Sequence, residues 1–209
     1  MRFGPRRLFD GLSVTVEAGA PLAVTGANGS GKSTLLLLFA GLLTPTGGRV
    51  VLEVGGATVD PRDVPQTVGY VAPSLGLYDV LTARETLSFL ARARALEATG
   101  RVEATGRVEG AGRVEGALEA VGLEARADEP VAAFSTGMRQ RLRIATALLH
   151  DPPVVLLDEP GATLDAAGRG VVRSLVEDAS KVVVLATNDP AEAGLCARRV
   201  QIGGASSRS

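Results

Sequence analysis

The stretch of sequence that decides the fold reads Gly26-Ala27-Asn28-Gly29-Ser30-Gly31-Lys32-Ser33-Thr34. It matches the phosphate-loop pattern G-x-x-x-x-G-K-[ST], in which backbone N–H groups surround the phosphates of a nucleotide. Residues 21–25 are typical of a short buried strand, and the apolar run 35–40 opens a helix whose N-terminus attracts anions. A glycine-rich turn that only joins a strand to a helix is the alternative. The Lys-Ser pair in register favours binding of a nucleoside triphosphate.

Two residues of this loop and two acidic residues later in the chain carry the predicted chemistry. Lys32 is expected to reach the β- and γ-phosphates, and the Ser33 hydroxyl to bind Mg²⁺. Asp158 ends the apolar strand that begins at residue 154, where a carboxylate holds Mg²⁺ through its water shell. Glu159 follows, at the position of a base or water-orienting group for attack on the γ-phosphate. Acidic residues that merely solvate a loop are the alternative. The other predicted nucleotide-binding residues of the loop are Gly26, Asn28, Gly29, Ser30, Gly31 and Thr34.

The composition excludes several classes of protein. The chain has 209 residues, 45% of them hydrophobic, and a net charge of −1, which gives no electrostatic reason to expect nucleic acid as a partner. A single cysteine, Cys196, excludes an internal disulfide and fits a reducing compartment. We expect no signal peptide, and the longest apolar run, 35–43, is too short to span a bilayer.

Apolar strands alternate with helices along the chain, which is typical of an α/β protein. Strands are predicted at 12–17, 21–25, 49–54, 68–72, 154–159, 182–187 and 200–202, and helices at 35–40, from 81 onward, and at 116–123, 139–149 and 166–179. This pattern predicts a phosphate-loop core with a mainly parallel sheet, an N-terminal antiparallel β portion and an inserted helical subdomain. The predicted core is 1–69 and 135–209, and the predicted subdomain is 70–134. Thr82 and Glu85 predict a capping box at the start of a helix.

A hexapeptide of the form Gly-Arg-Val-Glu with two small residues repeats about three times within residues 97–116. The period is too short for a helical solenoid, and the lone valine in each copy buries too little apolar surface for a β-helix. We interpret the repeat as a flexible or frayed surface insertion without chemistry, with a partner-binding repeat as the alternative.

Four segments together resemble the ATPase subunit of an ABC transporter. They are Gly26–Thr34, Ser135–Arg141, Leu156–Pro160 and Ala162–Asp165, in the order and spacing of that family. The resemblance covers essentially the whole chain apart from the repeat, and other phosphate-loop enzymes lack the Ser-x-Gly segment before a long helix. It implies a head-to-tail dimer that holds two ATP molecules between the chains.

The resemblance also implies roles for four further residues. Ser135 and Gly137 would bind the γ-phosphate held by the other chain's phosphate loop, at the N-terminus of a helix. Asp165 would lie in the loop that connects the two sites. Phe3 would stack against adenine, a contact worth roughly 1–3 kcal/mol by nucleic-acid precedent. A place for Phe3 in the core is the alternative.

The chain departs from the family at four points. Met138 replaces the usual glutamine, and Pro73 stands where the family's lid glutamine senses Mg²⁺ and the membrane partner. Asn188 replaces the switch histidine; it can hydrogen-bond a γ-phosphate but cannot carry a proton or a positive charge. The family's first strand has no counterpart before Met1, so that strand is absent or the chain starts too late. The one histidine, His150, is interpreted as the end of a helix rather than as a substitute switch.

The leading hypothesis is an ATP-hydrolysing subunit of a membrane transporter, with Glu159, Lys32 and Asn188 as catalytic residues. It would work in the cytoplasm at the inner face of the membrane, paired with a second ATPase chain of the same or a different kind. A permease would dock on the surface around Pro73, Leu77, Tyr78 and the helical insertion. The length is most similar to small exporter subunits, including the haem-exporter type. A nucleotide-dependent dimerising regulatory module and a DNA-repair or translation ATPase are the alternatives.

Overall fold

The computed structural model describes residues 2–3, 6–99 and 107–203 of the chain, with the side chains of residues 8–94 and 112–203. The strands are β1 (Arg2–Phe3), β2 (Arg6–Arg7), β3 (Leu22–Thr25), β4 (Glu53–Val54), β5 (Ala57–Thr58), β6 (Val68–Val71), β7 (Val154–Asp158), β8 (Val182–Ala186) and β9 (Arg198–Gln201). The helices are α1 (Lys32–Phe39), α2 (Val64–Thr67), α3 (Ala83–Thr99), α4 (Arg107–Ala120), α5 (Thr136–Leu148), α6 (Ala166–Glu177) and α7 (Pro190–Ala193).

A five-stranded sheet in the order β6-β7-β8-β3-β9 brings the predicted site together. The pairs β7–β8, β8–β3 and β3–β9 are parallel. The register sets Asp158 opposite Ala186, and Ala186 opposite Val24, so the carboxyl ends of three adjacent strands lie side by side. Strands β7 and β8 consist almost entirely of buried apolar residues, as expected of a parallel sheet covered on both faces. The predicted α/β fold class is confirmed.

The contacts divide the described chain into two compact units. The first comprises Met1–Tyr70, Pro153–Glu159 and Leu175–Ser209, and the second comprises Val71–Pro152 and Pro160–Ser174. The second unit thus includes α5 and most of α6 as well as the segment that we predicted as a helical subdomain. The predicted domain division itself stays a prediction.

The core of the first unit packs α1 against the sheet. Leu22, Leu36, Leu156 and Val184 are each no more than 2% exposed and belong to one apolar cluster with Ile202, which follows β9. Burial of these side chains stabilises the frame from which the phosphate loop and the loops after β7 and β8 emerge.

The N-terminal antiparallel structure is smaller than the sequence indicated. No strand forms over 12–17 in the described chain, although Leu12, Val14 and Val16 still alternate with exposed residues and pack on the core. The alternation of apolar and polar residues therefore correctly indicated that every second side chain is partly buried, but it did not indicate strand pairing. The predicted strand 49–54 is reduced to β4, which pairs antiparallel with β5 across a Gly55-Gly56 turn.

The helical segment corrects our interpretation of the hexapeptide repeat. The described part of the second and third copies, residues 107–116, forms most of α4, whereas residues 100–106 lie outside the described residues. Val114 of the third copy is 3% exposed and starts an apolar series with Ala117, Leu118 and Val121, which has the spacing of one helix face. Burial of this apolar face favours helix in this part of the repeat, and the repeat contains no proline that would break it.

Two contacts of α3 explain how this segment is held. The predicted capping box is confirmed, since Thr82 and Glu85 exchange backbone-to-side-chain hydrogen bonds of 2.9 and 3.1 Å. Arg84 forms ion pairs with Glu115 of the repeat and with Asp128, the latter at 2.7 Å.

Among the described helices, none has both the length and the apolar character that crossing a membrane requires.

Candidate nucleotide-binding site

The phosphate loop has the backbone conformation that its glycines allow. Gly31 caps the N-terminus of α1 with φ of 106°, a left-handed value that other residues rarely adopt. At Gly26, φ is 152°, and a Cβ atom would lie 2.3 Å from the Ile202 carbonyl oxygen. Alanine would therefore strain the backbone at Gly31 and would clash with the Ile202 carbonyl at Gly26. The loop leads into the exposed N–H groups of the first turn of α1, where an anion is favoured.

Lys32 is held at the centre of the site. Only 5% of its side chain is exposed. Its Nζ donates to the Gly26 carbonyl oxygen at 2.9 Å and to Asn188 Oδ1 at 3.0 Å. It also lies 3.1 Å from Glu159 Oε1. An ammonium buried at this loop, with its charge balanced by one carboxylate, is suited to exchange these acceptors for phosphate oxygens.

Asn188 connects three of the predicted residues. Its Oδ1 accepts from Lys32, while its Nδ2 donates to Asn28 Oδ1 at 2.6 Å and lies 3.4 Å from Glu159 Oε1. The amide uses its acceptor on the lysine and its donors on the loop and the carboxylate, an arrangement that a neutral imidazole has too few polar atoms to copy. Asn188 is thus placed among the residues predicted to surround the γ-phosphate.

Asp158 is a buried carboxylate with unused acceptor capacity. It is 4% exposed, receives hydrogen bonds from Ser33 and from the Tyr70 hydroxyl, the latter at a long 3.4 Å, and its Oδ1 has no partner among the described residues. Burial is the main cause that raises the pKa of Asp158 above its usual value, with the charge of Glu159 as a smaller one. Such a carboxylate is expected to gain from a cation.

Glu159 points from the end of β7 into the site. Its backbone has φ of 45°, rare for a residue with a side chain, and its N–H donates to the Ala186 carbonyl oxygen at 2.8 Å. This bond to β8 holds the turned backbone in place. The side chain is 38% exposed. Glu159 is therefore positioned by the sheet yet open to solvent, which a base that activates water requires.

An open cavity of about 360 Å³ lies over the phosphate loop and Glu159. Its lining residues are Leu8, Asn28, Gly29, Gly31, Lys32, Ser33, Thr34 and Glu159. Ser30 is buried at 8% exposure, and its Oγ also has no hydrogen-bond partner among the described residues. The side chain of Phe3, our predicted adenine contact, lies outside the described residues, so that role stays a prediction.

The predicted residues of the Ser-x-Gly segment belong to the second unit. Ser135 caps α5, its Oγ accepting from the Met138 N–H at 3.2 Å, and Gly137 is buried beside Asp165. Asp165 accepts from the Arg141 guanidinium at 3.3 Å. Arg141 also donates to the carbonyl oxygens of Val121 and Gly122, both at 2.8 Å. This network fixes the start of α5.

The structure thus groups the predicted loop residues with Asp158, Glu159 and Asn188. Pro73, at the family's lid position, is exposed in the turn after β6. Sequence reasoning missed Tyr70, which contacts Asp158, and Leu8, which lines the cavity. Tyr70 lies in the middle of the strand predicted at 68–72, and β6 is the neighbour of β7 in the sheet. No pattern in the sequence fixes that strand order.

Comparisons with known proteins agree with this geometry. The family model described as ABC transporter matches residues 9–162. A cytochrome c biogenesis ATP-binding export protein, CcmA, of Nitrobacter winogradskyi is 36% identical over 97% of this chain and 94% of its own length. An aliphatic sulfonates import ATP-binding protein, SsuB, of Pseudomonas fluorescens is 37% identical over 95% of this chain and 68% of its own. The dimeric post-hydrolysis structure of the ATP-binding cassette MJ0796 with ADP and Pi superposes with a TM-score of 0.75, at 26% identity, over 93% of this chain and 86% of its own.

Proposed function

Because this chain belongs to the ABC transporter family of ATP-binding proteins, we propose that it hydrolyses ATP to drive transport through a separate membrane permease. The observation that carries the proposal is the meeting of Lys32, Asn188 and Glu159 within 3.4 Å of one another at the phosphate loop. These groups supply a cation for phosphate, a neutral donor, and a solvent-open carboxylate at one point.

The residues fit ATP with Mg²⁺. Lys32 and the loop N–H groups would hold the β- and γ-phosphates, while Ser33 and Asp158 would hold the metal. Mg²⁺ would neutralise charge on the phosphate oxygens during transfer. Oδ1 of Asp158, which has no hydrogen-bond partner in the described part of the chain, supports this assignment. Among the described residues, no three His, Cys, Asp or Glu side chains cluster as a metal site.

Hydrolysis requires a group that accepts a proton from water. Glu159 takes this role in the proposal, because its Oε1 lies 3.1 Å from Lys32 Nζ and its side chain is open to solvent. Asn188 orients that carboxylate and the loop through its amide. With phosphate bound to Lys32, Glu159 loses its cationic partner and becomes available to water.

The second active surface would come from a second ATPase chain. Ser135 and Gly137, at the N-terminus of α5, would contact the γ-phosphate held by the other chain. The similar cassette MJ0796 is described as a dimer with ADP and Pi, which supports this arrangement. A permease would hold the pair at the inner face of the membrane, and likeness to CcmA over nearly its whole length supports an exporter of that type. A regulatory module without hydrolysis is less favoured, since the relatives are named for export and import.

The test measures phosphate release from purified protein against protein concentration, together with equilibrium binding of Mg²⁺-ATP. We expect a rate per chain that rises with concentration, loss of that rate in Glu159→Gln, and loss of ATP binding in Lys32→Ala. Normal affinity in Lys32→Ala would overturn the phosphate-loop assignment. If the wild-type chain and Glu159→Gln are equally inactive alone, the assay is repeated with the co-purified permease. If wild type and Glu159→Gln are equally inactive with the permease, the hypothesis of a regulatory module without hydrolysis is favoured.

A further inference from the structure

A buried hydroxyl fixes the backbone on both sides of Asn188. Thr187 and Glu192 are 2% and 9% exposed. The Thr187 hydroxyl donates to Glu192 Oε2 at 2.5 Å and accepts from the Asp189 N–H at 3.0 Å. One oxygen thus ties the residue before Asn188 to the residue after it, and both to a buried carboxylate.

The same short loop is anchored at its two ends by two further hydrogen bonds. The Thr187 N–H donates to the Val24 carbonyl oxygen of β3 at 3.0 Å. On the other side, Asp189 caps α7, its Oδ1 accepting from the Ala191 N–H at 2.7 Å. We call Thr187, Asp189 and Glu192 the loop clasp. The loop clasp fixes the peptide of Asn188 between the sheet and α7.

Asn188 itself is exposed, and its side-chain contacts are with Lys32, Asn28 and Glu159. Its amide can meet those atoms only if its backbone is held in place, since a displacement of about 1 Å breaks hydrogen bonds of this length. Thr187 precedes Asn188 directly, and its hydroxyl joins Glu192 to the Asp189 N–H, so a change at Thr187 or Glu192 is expected to move the Asn188 backbone.

We propose that Thr187 and Glu192 are positioning residues, which act through Asn188 to hold its amide against Lys32 and Asn28. The expected effect on hydrolysis rests on the proposed function, whereas the placement of the Asn188 amide is independent of that function. The role asks of Glu192 only an acceptor oxygen toward Thr187, which the glutamine amide also has.

The first test follows the Asn188 side-chain amide by NMR in protein labelled with ¹⁵N at asparagine, without nucleotide. The Asn188 signals are assigned by their loss in Asn188→Ala. We expect Thr187→Val and Glu192→Ala to move them to the positions of a solvent-exposed amide, and Thr187→Ser and Glu192→Gln to leave them in place. Thr86→Val is the matched control, because Thr86 is also buried, at 4% exposure, and donates its hydroxyl to a carbonyl oxygen at 2.8 Å. Unmoved Asn188 signals in folded Thr187→Val and Glu192→Ala would overturn the inference.

The second test is a double-mutant cycle on ATP turnover. Thr187→Val is expected to lower kcat between about tenfold and about a hundredfold with a smaller change in KM, as misplaced groups at a reacting centre do. In the Asn188→Ala background the same change should add almost nothing. Full additivity would overturn the inference. A wild type without turnover even with its permease would contradict the proposed function instead, and the amide signals would still decide the positioning role.

Discussion

The ammonium of Lys32 lies 3.1 Å from the carboxylate of Glu159, so the predicted phosphate-binding cation and the predicted base are ion-paired with each other. The pair is asymmetric, since the lysine side chain is 5% exposed and the glutamate side chain 38%. Phosphate and carboxylate therefore compete for the same cation, and a solvent-open partner is the easier one to release.

From this pairing we predict that Glu159→Gln binds ATP more tightly while it loses turnover. The neutral amide competes less for Lys32 and removes a negative charge beside the phosphates, a gain of about twofold to fivefold in affinity for a half-exposed pair. Equilibrium binding of Mg²⁺-ATP measures it. Glu177→Gln, at the exposed end of α6, is the matched control and should leave affinity unchanged. Weaker binding by Glu159→Gln than by the control variant would show that the ion pair does not oppose nucleotide.

Much of the site followed from the sequence because it depends on local patterns. The loop glycines, Lys32 and Ser33 are contiguous, and Asp158 ends an apolar run that only a buried strand explains. The Asn28–Asn188 bond did not follow, because it joins residues 160 positions apart and depends on side-chain torsions. The strand predicted at 12–17 was wrong, since pairing partners cannot be read from alternation alone.

We predict that the buried carboxylate of Asp158 lowers the free energy of unfolding of the nucleotide-free chain. Burial raises its pKa, so its stabilising contribution is complete below the unfolded pKa, about 3.9, and is lost as pH rises through the folded value. At pH 7 the ionised group destabilises the nucleotide-free chain. Asp158→Asn should therefore stabilise it by about 1 kcal/mol, which raises Tm by about 2–4 °C. The difference should shrink as pH falls toward about 4.

Asp178 provides a control of opposite sign for this experiment. A hydrogen bond from the Ser180 hydroxyl is the main cause that lowers the pKa of Asp178, so its contribution is present above the unfolded pKa and is lost as pH falls. Asp178→Asn should thus not stabilise the protein at pH 7. Thermal unfolding from pH 4 to 8 compares both variants with wild type. A lower Tm for Asp158→Asn than for wild type at pH 7 would contradict the predicted cost.

Gly137 tests the start of α5. A Cβ atom there would lie 3.2 Å from Oδ2 of Asp165. Asp165 is already held at both oxygens, since Oδ1 accepts from the Gly168 N–H and Oδ2 from Arg141. Gly137→Ala should displace Asp165 and lower turnover by about tenfold to a hundredfold, with unchanged ATP affinity of the single chain. Gly170→Ala on α6 is the control, because its Cβ would meet nothing within 4 Å. Equal turnover of the two variants would show that the contact with Asp165 has no role in hydrolysis.

Asn188→His restores the residue type that the family has at this position, and we predict that it raises turnover. An amide donates through a neutral N–H, whereas an imidazolium adds a positive charge, and a hydrogen bond from a charged donor is about twice as strong. Since the unperturbed pKa of histidine is about 6.5, the ratio of variant to wild-type kcat should be larger at pH 6 than at pH 8.

The measurement is kcat against pH for wild type, Asn188→His and Asn188→Ala. Asn188→Ala controls for simple loss of the contacts with Lys32 and Asn28, and should be slower than wild type at every pH. A histidine variant no faster than Asn188→Ala would mean that the site needs the paired acceptor and donors of an amide. The loop around Asn188 would then be adapted to asparagine, and charge at that position would not limit the rate.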